Sequence, residues 1–176
     1  ESHRAYLAQL QQMLISDQPL GEIASMKIDG AAHPQAGRAR QGPVDWPNLQ
    51  WTTTQLLSNP SAADFGGRFL ALHTEVARAA LHAPDATLLT LILRSSDETR
   101  VYSATHVLLV ASVCMLVARD GLHWSPEQAA RAGRVALSMN ISMTELQDRL
   151  AQQSAPLSGG QIAQIQDHAE RSASML

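Results

Sequence analysis

The chain has 176 residues, 45% hydrophobic and 16% charged, with 13 Lys and Arg against 16 Asp and Glu for a formal net charge of −3. That length suits one domain with a full hydrophobic core, or one domain plus a helical extension. Neither sign of charge dominates any segment, so the composition gives no reason to expect nucleic acid or an anionic membrane as a partner.

Leucine and alanine dominate, β-branched alternation is missing, and apolar residues recur every three or four positions, a pattern that predicts an all-α, multi-helix bundle. The chain opens on Glu1 rather than Met and is read as a processed piece. A first helix is expected over "HRAYLAQLQQMLIS", with Tyr6, Leu7, Leu10, Met13 and Leu14 on one face, breaking at Asp17 to Gly21. The stretch "DGAAHPQAGRARQGPVDWP", Asp29 to Pro47, is rich in Gly, Pro and Ala and reads as a long loop in which Arg38 and Arg40 are solvated. Trp46 and Trp51 are expected to anchor its end to the core. Residues 1–60 are thus an N-terminal helix plus loop, and residues 61–176 a helical domain.

In "NPSAADFGGRFLALHTEVARAALHAP", Ser61 is a candidate cap, and Phe65, Phe69, Leu72 and Val76 form an apolar stripe that serves as core or as a partner surface. Pro84 should end that helix and Asp85 cap a short buried one over "ATLLTLILRSS". A long helix opened by Asp97 or its neighbours is expected through "VYSATHVLLVASVCMLVARD", stopping at Gly121. Its apolar run, Val107 to Ala118, falls short of the ~20 residues that cross a bilayer. The single Cys114 in that run allows no disulfide within the chain and reads as core packing. A soluble, cytoplasmic protein is the expectation.

Two start signals mark the last third. In "SPEQ", Ser125 is an N-cap, Pro126 suits the first helical position and Gln128 can close a capping box; "SGGQ" repeats this logic with Ser158 and Gln161. Between them "MTELQDRLAQQ" predicts a short helix led in by Ser142 or Thr144. The stretch "VALSMNISM" stands out because Asn140 lies where a buried helix end could carry an acid, with Met139 and Met143 beside it. If helical, those two methionines share a face, and core filling is their default role.

From Asp85 onward the order of features resembles the HD-type metal-dependent phosphohydrolase superfamily, and more narrowly its HD-GYP branch of bacterial cyclic di-GMP phosphodiesterases. "YSATHVLLVASVCMLVARDGL" is similar to the family's opening helix, with His106 at its ligand position. "SPEQAARAGRVAL" resembles the helix leading into the His-Asp pair. "LSMNISM" then lies where the family has Leu-His-Asp-Ile-Gly-Lys, so that Met139 replaces the His, Asn140 the Asp and Met143 the Lys. "APLSGGQIAQIQDHAERSASML" is similar to the following helix and places His168 on a further ligand position, while the Gly-Tyr-Pro segment and later ligands are absent from the chain.

The resemblance implies a metal site, and the substitutions imply its loss. Phosphodiester hydrolysis needs imidazoles and carboxylates about 2.0–2.2 Å from a divalent ion, with open positions for water and phosphate. An Asn carbonyl is neutral, and a Met thioether suits copper(I) rather than harder ions. Second-shell changes alone cost about 10–100-fold in metal affinity, so losing two direct ligands should cost more. The favoured expectation is therefore a non-catalytic, degenerate HD-GYP-like domain, a regulatory or scaffold module in bacterial signalling with no cofactor, whose partners are proteins or a second copy.

Two alternatives stay open. One is an active phosphohydrolase using Mn, Fe or Mg through His106, His168 and acids such as Glu145, Asp148 or Asp167. The other is a module that holds a nucleotide without cutting it. His3, His33, His73, His82 and His123 show no ligand spacing and receive no role.

Overall fold

The computed structural model describes residues 44–97 and 99–176. The helix expected over residues 3–16 and the loop up to residue 43, with Arg38 and Arg40, lie outside them. The helices are α1 (Trp46–Leu57), α2 (Phe65–His82), α3 (Pro84–Asp97), α4 (Tyr102–Leu116), α5 (Pro126–Ser138), α6 (Thr144–Ala151) and α7 (Gly159–Ser174). A π-helical turn, Val117–Gly121, continues α4, and a single 3₁₀ turn, Ile141–Met143, joins α5 to α6. No strand occurs among the described residues, and the all-α expectation holds.

The centre of the bundle is α4. Its sequence is apolar on every side, which suits a helix surrounded by others, and α1, α2, α3, α5 and α6 all pack against it. Val107, Leu108, Ala111 and Met115 are buried almost completely. With its π-helical turn the helix runs 20 residues, Tyr102–Gly121, long and apolar enough to cross a membrane by length and composition, yet more than half of it is buried inside the bundle. The Val107 to Ala118 run thus understates the helix that contains it. Cys114 is half-buried and packs against the core.

The expected stripe on α2 faces inward. Leu72 and Val76 are buried, and Phe65 and Phe69 pack against them with ring centroids 5.6 Å apart. The compact unit begins at Val44, so α1 belongs to the same core as residues 61–176 and supplies Leu49, Leu56 and Leu57. Trp46 packs on that core as expected, whereas Trp51 points outward at 62% exposure. A buried polar relay also joins three helices: Arg94 of α3 donates to Gln50 Oε1 of α1 at 3.0 Å, and Gln50 Nε2 donates to Thr105 Oγ1 of α4.

Several helix ends differ from their sequence expectation. Both capping boxes, at Ser125 with Gln128 and at Ser158 with Gln161, form as read. At α2 the cap position is Asp64 rather than Ser61, because residues 59–64 turn before the helix begins. Pro84 opens α3 as well as ending α2, and the chain bends by 116° between those helices. Val101 occupies the cap position of α4 and makes no side-chain cap bond. That end of the helix is instead satisfied by Asp148, from 45 residues away.

Candidate functional site

The five positions carried by the resemblance fall on three elements. His106 lies one turn into α4, half-buried, stacked on Tyr102 with centroids 5.4 Å apart and planes at 16°. Burial pushes its imidazole below the ordinary histidine pKa, so the ring is held neutral. Met139 caps the end of α5, Asn140 follows it, and Met143 closes the 3₁₀ turn; all three are half-buried. The α-helix stops at Ser138, so Met139 and Met143 do not share the face of one continuous helix.

His168 sits on α7, and α7 packs against that same 3₁₀ turn. Ser142 Oγ donates to the His168 carbonyl at 2.9 Å, Ser172 Oγ donates to Ser142 Oγ at 3.0 Å, and the Ser142 amide donates to Ser172 Oγ at 3.2 Å. The segment "MNISM" and the His168 segment are therefore brought together. His168 Nδ1 donates to the Ile165 carbonyl at 2.5 Å, which leaves Nε2 as the ring nitrogen with a lone pair. Metal-bound histidines use the same arrangement, so the His168 imidazole by itself has ligand chemistry.

Between them that chemistry is missing. Met139 and Asn140 offer a thioether and an amide, neither of which offsets the charge of a hard dication. Among the described residues no group of three or more His, Cys, Asp or Glu side chains converges closely enough to hold a metal ion. The acids considered as replacements are differently engaged. Both carboxylate oxygens of Asp148 bind Ser103, through its amide at 2.7 Å and its hydroxyl at 3.0 Å. Glu145 is exposed and pairs with Arg149 at 3.8 Å, and Asp167 lies on the exposed side of α7. These side chains therefore do not converge on one ligand set among the described residues.

Beside Met143 an open groove of about 190 Å³ runs between the end of α1, α6 and the last turn of α7. Its guanidinium, Arg149, is the one paired with Glu145, so a phosphate entering there meets a cation already partly neutralised. The described histidine that sequence reasoning left without a role and that burial singles out is His73 on α2, 93% inside, with its Nε2 lacking a hydrogen-bond partner. Its signal was present in the sequence: it follows Leu72 and precedes Val76 on the inward face of α2.

No protein-family model, curated protein or solved structure matches this chain. The functional reading therefore rests on these residues and their arrangement.

Proposed function

We propose that this chain carries a non-catalytic, degenerate HD-GYP-like domain that acts as a regulatory or scaffold module in cyclic di-GMP-type bacterial signalling. One observation carries the reading. At the turn after α5, in contact with the His168 segment, consecutive side chains are a thioether and a neutral amide, Met139 and Asn140. A helical core tolerates such an exchange at little cost. A dication does not, because it loses the negative charge that offsets its desolvation.

The same turn supports a structural role for what remains. Ser142 and Ser172 tie α7 to the bundle by hydrogen bonds, so the α5 to α7 junction holds together through neutral groups alone.

The test is reversion. Wild-type protein purified without chelator and offered manganese and iron should carry neither in stoichiometric amount and should not hydrolyse bis(p-nitrophenyl) phosphate or cyclic di-GMP. The double variant Met139→His, Asn140→Asp should gain metal by elemental analysis. Stoichiometric metal and turnover in the wild type would sink the proposal. Saturable cyclic di-GMP binding that is unchanged by EDTA and produces no turnover would replace it with the nucleotide-holding reading.

A further inference from the structure

Three departures from ordinary helix packing flank the contact between α4 and α5. The first is the π-helical turn Val117–Gly121; such turns recur at functional sites because the extra residue re-aims the side chains around it. The second is His123, which has φ 53°, a left-handed conformation costly for a residue with a Cβ. The third is His73, whose unpartnered Nε2 lies beneath Met115 and Gly133. Next to them, between Ala77 and Leu81 of α2, Met115 of α4, Arg119 and the start of α5, is a cavity of about 190 Å³ whose wall is almost wholly apolar.

The void has a sequence origin. Ala77 of α2 and Ala130 of α5 put methyl groups where facing helices ordinarily interdigitate larger side chains, and Leu81 and Met115 form the floor. Trp124, next to the strained His123 and 46% exposed, forms the wall nearest solvent. The π-helical turn carries Arg119 to the rim. There its Nη1 donates to the Leu81 carbonyl at 3.0 Å, and its Nε and Nη2 donate to the Asp120 carboxylate at 2.5 and 2.6 Å. The guanidinium is thus neutralised, with donors on all three nitrogens engaged, so the site holds no free charge to attract an ion.

The volume and lining select the occupant. The cavity opens to solvent on the Trp124 side, and its volume is on the scale of the about 150 Å³ apolar cavity that accepts benzene. A tryptophan face and a methionine thioether both favour an aromatic ring, the first through offset or edge-to-face packing and the second through sulfur contact at the ring edge. We infer that this cavity is a binding site for a small, uncharged molecule with a single aromatic ring. The inference is independent of the fate of the Met139–Asn140 site.

Toluene is the probe. In full-length protein labelled with ¹³C-methyl methionine, titration with toluene should move the Met115 resonance saturably through the ring current, while Met139 and Met143 stay in place. Ala130→Leu fills the space and should abolish the shift without lowering the melting temperature. Ala77→Leu does the same from the opposite wall and serves if the first variant folds poorly. Trp124→Ala, at an exposed position, should weaken binding about tenfold, the loss expected for one aromatic contact. A Met115 methyl that does not move up to the solubility limit of toluene in folded protein overturns the inference. So does a shift that survives in both filled variants, or a dimer that buries Trp124 and leaves toluene without effect.

Discussion

Asp148 of α6 caps α4: its carboxylate accepts the Ser103 amide at 2.7 Å and the Ser103 hydroxyl at 3.0 Å. The first-turn amides of a helix lack partners inside it, and a carboxylate there also meets the positive end of the helix dipole. Because the two residues are 45 apart, the cap fastens α6 to the central helix as well as completing α4. Asp148→Ala should therefore destabilise the fold by about 2 kcal/mol, the sum expected from a lost cap and a charge-assisted bond. Asp148→Asn, which retains an acceptor, should cost less. Urea denaturation of both variants checks the order, and equal losses would mean that a neutral acceptor contributes nothing and the carboxylate charge carries the whole effect.

Gly133 marks the closest approach in the core. A Cβ at that position would lie 2.6 Å from Met115 Sδ, 2.7 Å from its Cγ and 3.1 Å from His73 Nε2. Ala is otherwise the better helix residue by about 1 kcal/mol, so an exposed site would gain from the exchange. Here the contact reverses the sign. Gly133→Ala should destabilise by about 1–2 kcal/mol, the net of overpacking against helix propensity. Adding Met115→Ala, which removes the obstructing thioether, should make the second exchange less costly than it is alone, a coupling read from a double-mutant cycle.

How much of this was legible beforehand depended on the range of the interaction that decides each feature. Local signals were readable: both capping boxes lie within four residues of sequence, and the α2 stripe follows from helical periodicity alone. The start of α4 was not, because its cap is a residue on another helix. Trp51 was misread because its size suggested burial, whereas the inward face of α1 is set by Leu49, Thr53 and Leu56. The serine contacts that join "MNISM" to the His168 segment were not legible, since hydroxyl bonds 30 residues apart leave no spacing to recognise. His73 was passed over because a lone histidine carries no ligand pattern, and its burial follows from three helices meeting there.

That burial has a pH consequence. The His73 imidazole is held below its ordinary pKa, first by desolvation and then by the charge of Arg134, against a smaller upward pull from the nearby Ala130 backbone. Its folded-state value is thus lower than its value in the unfolded chain, about 6.5. Between the two values the unfolded chain binds more protons, so stability is full above about pH 6.5 and is lost as pH falls toward the folded value. His106, lowered by burial alone, acts in the same direction. The urea midpoint should drop between pH 7.5 and pH 5, and His73→Phe should flatten that drop whatever its effect at pH 7.5. An unchanged slope in the variant would remove His73 as its source.

The two-serine junction makes α7 the least firmly held helix among the described residues. Of its sixteen residues Ser172 is the one that is buried, and it is buried against Ser142 rather than against apolar side chains. The Ser158 capping box stabilises α7 from within, so separation from the bundle need not unravel it. Hydrogen exchange should therefore rank α7 amides well below those of α4 in protection. Ser172→Ala removes a buried acceptor and donor worth about 1 kcal/mol, which corresponds to about fivefold faster exchange in α7 with α4 unaffected. Ser142→Cys with Ser172→Cys, in a Cys114→Ser background, should form a disulfide that closes the gap in protection, since the two hydroxyls are already 3.0 Å apart. Equal protection of α4 and α7 in the wild type would show that α7 opens only with the whole fold.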